Sequence, residues 1–82
     1  MRKAIISYLI TNDFKPNFLW AAPTYLNGFL INLTGYNNSY VAEFKNVMSK
    51  FCELGYFKLE PFNKDLFNYR LTEKGYFELL LK

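Results

Sequence analysis

The side chains that could run a reaction in this chain are few and scattered. Seven carboxylates, Asp13, Glu43, Glu53, Glu60, Asp65, Glu73 and Glu78, are spread along 82 residues. None stands at metal-ligand spacing from another, and none pairs a nucleophile with a base. Histidine is absent, so imidazole catalysis and imidazole metal ligation are excluded. Gly28 and Gly35 are too far apart to cradle a phosphate, and no Gly-Lys-Ser/Thr follows them. Cys52 is the single cysteine. It cannot close an internal disulfide, and among Met48, Phe51 and Leu54 it reads as a structural thiol rather than a nucleophile. The triplets Asn32-Leu33-Thr34 and Asn37-Asn38-Ser39 match the glycosylation pattern, a coincidence in a chain read as cytoplasmic. The expectation is a protein that is not an enzyme and holds no metal and no cofactor.

The elements that position these residues belong to one domain, 1–82. A domain of this size buries roughly 60% of the surface its unfolded chain exposes, so a partner would help its stability. The chain is 51% hydrophobic and 21% aromatic but only 21% charged. That balance excludes a disordered chain. It implies either a dense core or apolar surface left for an interface. The same Phe, Tyr, Asn, Lys and Ile excess also follows from an AT-rich genome. Net charge is +3, without a run of like charges that would mark a nucleic-acid or membrane tail. No stretch approaches the ~18 apolar residues of a membrane span. Met1-Arg2-Lys3 leads into an apolar run broken by Ser7 and Tyr8 with no small-residue cleavage site after it, so no signal peptide is expected.

Periodicity gives the order of elements. A first helix is expected from Arg2 to Asn12, with Ile5, Ile6, Leu9 and Ile10 on one face. Asn12-Asp13 and Pro16 end it. Asn17 to Ala22 predicts a short strand that pairs later in the chain. Pro23 opens a second helix with Thr24 as cap, and Leu26, Phe29, Leu30 and Leu33 mark its apolar side. Gly35 is placed for its C-cap. Asn37-Asn38-Ser39 starts a third helix running to Leu54, with Val41, Phe44, Met48 and Phe51 as its buried stripe. Its outward face is Ala42, Glu43, Asn46, Ser49, Lys50 and Glu53, and Gly55 ends it. Tyr56 to Pro61 and Leu66 to Thr72 alternate as two antiparallel strands, with Phe57, Leu59, Phe67, Tyr69 and Leu71 on one side. Phe62-Asn63-Lys64-Asp65 joins them, and Phe62 is expected to be exposed at the tip. Thr72 caps a last helical segment, Glu73 to Leu81, with Phe77, Leu80 and Leu81 inward.

Three segments carry a family resemblance: Leu33-Thr34-Gly35-Tyr36 at a turn, Glu53-Leu54-Gly55-Tyr56 entering the hairpin, and Tyr69-Arg70-Leu71-Thr72-Glu73-Lys74-Gly75 leaving it. With this element order the chain resembles the winged helix-turn-helix family, and within it small bacterial and phage regulators of the PadR and MarR type. The implied fold is α+β: a three-helix core, a two- to three-stranded antiparallel wing and a short C-terminal helix. One position departs from the pattern. Four residues before the turn glycine, where the family usually has a small residue, stands Ile31.

The resemblance implies double-stranded DNA as partner, with the third helix in the major groove. Base contacts would come from Asn38, Ser39, Tyr40, Glu43 and Asn46, since asparagine can bond adenine bidentately and glutamate can accept from cytosine. Lys45 and Lys50 would reach phosphates. The wing would offer Lys58, Asn63, Lys64 and Arg70 to the backbone, and Gly35, Tyr36 and Asn37 could present turn amides. Asn37, Asn38 and Ser39 are equally what any helix start requires.

Charge argues the other way. Between Asn37 and Leu54, Lys45 and Lys50 are cancelled by Glu43 and Glu53, and from Gly55 to Arg70 the balance is only +1. Non-specific DNA affinity rests on phosphate neutralisation, so a monomer would bind weakly and a homodimer would double the contacts. The first helix and Tyr76 to Leu81 are the apolar surfaces expected to pair. The alternative is an interaction module, a viral factor binding a host protein complex without touching DNA.

Overall fold

Helix α1 (Arg2–Thr11) buries Ile5 and Leu9, one turn apart, and leaves Ile10 exposed. It stops at Asn12, whose side-chain amide donates to the Tyr8 carbonyl at 2.8 Å. Asp13 follows with φ +54. The Asp13 amide then bonds to the Ile10 carbonyl and the Phe14 amide to the Leu9 carbonyl. That pair of bonds is a Schellman cap, with aspartate in the left-handed position it tolerates better than most residues. This computed structural model describes residues 1–34 and 38–81, apart from the side chains of Thr34 and Asn38.

Strand β1 (Leu19–Trp20) pairs antiparallel with a strand far along the chain, Trp20 opposite Tyr69. Helix α2 occupies residues 22–34. It begins as one α-helical turn (Ala22–Thr24), widens into a π-helical stretch (Tyr25–Leu30) and ends α-helical (Ile31–Thr34). Thr24 is not its cap. The N-cap is Ala21, Pro23 lies in the first turn, and the free Ala22 amide is satisfied by Asn68 Oδ1 at 2.8 Å. That partner is 46 residues away, which is why local reading chose a neighbour instead. In the widened stretch the Ile31 amide bonds to the Leu26 carbonyl, five residues back. The wider turn brings Tyr25 into the core with Phe29 and Leu30 and leaves Leu33 exposed. Ile31 is exposed too, so it is not where α2 packs against a neighbour. The cap expected at Gly35 and the turn residues Tyr36 and Asn37 lie outside the described residues.

Helix α3 (Asn38–Glu53) buries Phe44, Met48 and Phe51 at spacings of four and three. It ends in a second Schellman cap. Gly55, at φ +80, donates to the Cys52 carbonyl, and Tyr56 donates to the Phe51 carbonyl. The Phe51 and Tyr56 rings, 5.9 Å apart, make the apolar contact that accompanies this motif. Strands β2 (Phe57–Pro61) and β3 (Phe67–Leu71) then pair from Phe57 opposite Leu71 to Pro61 opposite Phe67. The sheet order is β1-β3-β2. Among the described residues, four helices and a three-stranded antiparallel sheet therefore make an α+β fold.

Helix α4 covers residues 73–80, α-helical over Glu73–Gly75 and π-helical over Tyr76–Leu80. Thr72 Oγ1 accepts from the Gly75 amide at 3.0 Å, the cap the sequence predicts. The inward face differs from expectation. Gly75 and Leu79 are buried and Leu80 half-buried, while Phe77 and Leu81 are 58% and 55% exposed. The Leu81 amide reaches back five residues to Tyr76, so the turn is wider than the regular α-helix that period-counting assumes.

Two glycines in helices face opposite demands. A Cβ on Gly75 would lie 2.1 Å from the Tyr56 carbonyl oxygen, where backbone cannot give. A Cβ on Gly28 would meet only the Tyr8 hydroxyl at 3.7 Å and a Thr24 methyl at 4.0 Å. Gly28→Ala is therefore expected to stabilise the fold by about 0.5–1 kcal/mol. Gly75→Ala is expected to destabilise it by about 3 kcal/mol, the upper end for overpacking. Urea unfolding followed by Trp20 fluorescence measures both.

Candidate nucleic-acid interface

Helix α3 presents Ser39, Glu43, Asn46 and Lys50 in one exposed stripe, spaced four, three and four apart. The stripe lies opposite the buried Phe44, Met48 and Phe51, because 3.6 residues per turn sends these two sets to opposite sides. Lys45 and Tyr40, also exposed, flank it in different directions. Tyr40 turns toward Met1, Ala4 and Leu33 at the ends of α1 and α2. Lys45 turns toward the hairpin. Asn38 opens the helix. Asn37 lies outside the described residues.

The stripe's charges are largely matched within the chain. Glu43 lies 3.6 Å from the amino group of Met1, and Lys50 lies 3.8 Å from Glu53. Both contacts are open to solvent on the carboxylate side, so each contributes little to stability.

The sheet splits the remaining candidates. Phe57, Tyr69, Leu71 and Trp20 point into the helices. Lys58, Glu60, Asn68 and Arg70 alternate with them and therefore line the opposite, outer face. Lys58 and Arg70 are cross-strand partners there. Sequence reading offers Arg70 to a DNA backbone, but its guanidinium is already engaged. It forks onto both oxygens of Glu60, through Nε and, at 3.1 Å, through Nη2. Nη1 donates to the Asn17 carbonyl at 2.7 Å. Arg70 thus ties the chain entering β1 to β2 across β3, and its role here is to hold the sheet.

Asn63 and Lys64 sit in the exposed turn. Asn63 Oδ1 accepts from the amides of Asp65 and Leu66, both at 2.9 Å, and the Phe62 amide donates to the Leu66 carbonyl. This Asx-type turn fixes the tip and leaves only the amide end of Asn63 to reach outward. Phe62 is 45% exposed, as expected.

Two exposed residues were not anticipated by alternation. Leu59 and Phe67 share the inward face of the strands, yet they are 51% and 44% exposed. The helical layer stops short of the outer half of the hairpin. A cleft of about 310 Å³ opens there, with Lys45 and Ser49 on one wall, Leu59 and Phe67 on the other, and Tyr25 and Tyr69 at its floor. The two five-residue strands outrun the start of α2, which reaches them through Tyr25, whose hydroxyl donates to the Phe67 carbonyl at 2.6 Å.

Titratable groups follow these surroundings. Burial pushes the phenols of Tyr25 and Tyr69 up, so both stay protonated. Burial also raises the Cys52 thiol, which keeps it un-ionised at neutral pH. No group of three or more His, Cys, Asp or Glu side chains gathers among the described residues. No helix among them is long and apolar enough to cross a membrane. Compared with protein-family models, curated proteins and solved structures, the chain matches none.

The hydrogen bonds from Arg70 hold the Glu60 carboxyl below its ordinary value of 4.5. A carboxylate depressed in the folded state stabilises the fold above its unfolded value, and that contribution is lost as pH falls through the folded one. Wild type should therefore lose stability below about pH 4.5 more steeply than Glu60→Gln. The gap between them should be widest at neutral pH and close in acid. Chemical denaturation at a series of pH values checks this, and added salt should shrink the neutral gap.

Proposed function

We propose that this chain is a small winged-helix DNA-binding protein, a transcriptional regulator that works as a homodimer and reads the major groove with α3. The observation that carries the proposal is the exposed stripe Ser39, Glu43, Asn46 and Lys50 on a 16-residue helix whose other side is buried core. A helix of this kind beside a stiff hairpin with Lys64 at its tip has the parts needed: hydrogen-bonding side chains for base edges and a cation for the backbone. The reading assigns no catalytic role and no cofactor.

A second reading is favoured by a specific observation. Leu59, Phe62 and Phe67 are exposed together at the outer end of the hairpin, beside Pro61, and the one arginine of the hairpin is engaged by Glu60. An apolar tip with few free cations fits a protein partner better than a phosphate backbone.

Fluorescence anisotropy with mixed-sequence duplex DNA at two salt concentrations separates the two. The DNA reading expects salt-sensitive binding. Lys64→Ala should weaken all duplexes alike and lower the salt slope by about one. Asn38→Ala with Asn46→Ala should remove sequence preference, at about 1–3 kcal/mol for each lost bidentate pair. Absence of binding at low salt would turn the case to the protein reading, in which Phe62→Ala matters more than any lysine.

A further inference from the structure

β2 is an edge strand, since the sheet runs β1-β3-β2 and no described residue pairs with its outer side. Two bonds reveal which of its backbone groups are free. Thr72 donates to the Tyr56 carbonyl and Phe62 donates to the Leu66 carbonyl. Both bonded pairs fall at even positions of β2. In an antiparallel ladder, bonded and non-bonded pairs alternate. Lys58 and Glu60 therefore turn their amides and carbonyls toward β3. Phe57, Leu59 and Pro61 turn theirs outward, Pro61 with a carbonyl only.

We propose that this edge pairs with the same edge of a second copy, antiparallel about a two-fold axis at Leu59. The assignment rests on charge register. Outward-facing residues must meet one another, which leaves three central alignments. Centring on Lys58 would set Lys58 against Lys58 of the other copy. Centring on Glu60 would set Glu60 against Glu60. Centring on Leu59 sets each Lys58 directly opposite the other copy's Glu60, in the non-bonded pairs where strand backbones are closest, about 4.5 Å between Cα atoms. Like charges directly opposite are unfavourable and opposite charges favourable, so of the three central registers the side chains favour this one.

The backbone agrees with it. Leu59 exchanges both hydrogen bonds with its counterpart. Each Phe57 amide meets the other copy's Pro61 carbonyl, so the proline's missing donor removes one bond per copy and no more. Leu59 is 51% exposed although it lies on the helix side of the sheet, so the helical layer leaves this edge open. Arg70 reaches Glu60 diagonally across the ladder, and the second copy's Lys58 would bring a second cation to that carboxylate from the other side. Two three-stranded sheets would become a single six-stranded one, with both α3 helices on the same side. An edge lysine is otherwise a device against such pairing; here a glutamate two residues on supplies its complement.

This inference rests on the homodimer part of the proposed function and is independent of DNA. The test is the solution mass without DNA, by light scattering on the intact chain. Wild type should have the mass of two 9.8 kDa chains. Leu59→Pro removes an outward amide and no bond to β3, so it should fold and run as a monomer. Lys58→Glu should also be monomeric, with far-ultraviolet circular dichroism unchanged. Lys58→Glu mixed with Glu60→Lys should restore a dimer, because each opposing pair is then one glutamate and one lysine. A wild-type monomer at high concentration would overturn the proposal. So would a dimer that survives Leu59→Pro but is lost on Phe77→Asp, which would assign pairing to the α1–α4 face. A dimer of the expected kind without DNA affinity would uphold the pairing and sink the DNA reading; DNA binding by a monomer would do the reverse.

Discussion

One indole holds the layers of this molecule together. Trp20 comes from a strand of two residues and is fully buried. It stacks on Tyr8 of α1 at 5.2 Å and meets Phe29 of α2 at 5.4 Å, Phe44 of α3 at 5.5 Å, and Tyr25 and Phe14 at 5.8 and 5.9 Å. Three helices and the sheet thus converge on one side chain, mostly edge-to-face, the geometry aromatic quadrupoles favour. Its indole N–H has no hydrogen-bond partner among the described residues. Leaving such a donor unpaired costs about 1–3 kcal/mol. The aromatic content of the chain is therefore explained chiefly by this core. The position of α3, and with it the exposed stripe, depends on Phe44 being held there.

Much of this was legible in the chain. Both Schellman caps sit where Asp13 and Gly55 stand, because left-handed positions restrict residue type. The Thr72 cap and the core stripe of α3 follow from local spacing. The inward faces of α2 and α4 were legible only in part: Phe29 and Leu30 are buried and Leu26 and Leu80 half-buried as expected, while Tyr25 and Leu79 were missed. Both contain π-helical turns, and a period of 3.6 assigns Leu33, Phe77 and Leu81 to a core they do not reach. Non-local bonds were equally hidden: the cap from Asn68 to Ala22, and the fork from Arg70 to Glu60. The first depends on the chain before α2 lying beside β3, the second on the register of β2 against β3, neither of which is a matter of neighbouring residues. The exposed Leu59 and Phe67 obey strand alternation but outrun the helices that would cover them.

The candidate site is similarly divided. Spacing alone placed Glu43, Asn46 and Lys50 on the outward face of α3, while Ser39 was named for its place at the helix start. Strand alternation set Lys58 and Arg70 on the face away from the apolar residues, but it could not say that Arg70 is engaged by Glu60 or that Lys45 faces the hairpin cleft. The surface left for a ligand is a polar helix stripe with nearly balanced charge, next to an apolar hairpin end. Such a surface derives specificity from hydrogen bonds and shape more than from attraction to phosphate. A second copy would compensate for that weak attraction by doubling every contact.

The most direct test of the account is a nuclear magnetic resonance titration of the nitrogen-labelled chain with a short mixed-sequence duplex at low salt. The account predicts that amide shifts concentrate at Ser39, Glu43, Asn46 and Lys50 and at the Asn63–Lys64 turn, with α1 and α4 unmoved. Shifts confined to α1 and α4, or none at all, would contradict it.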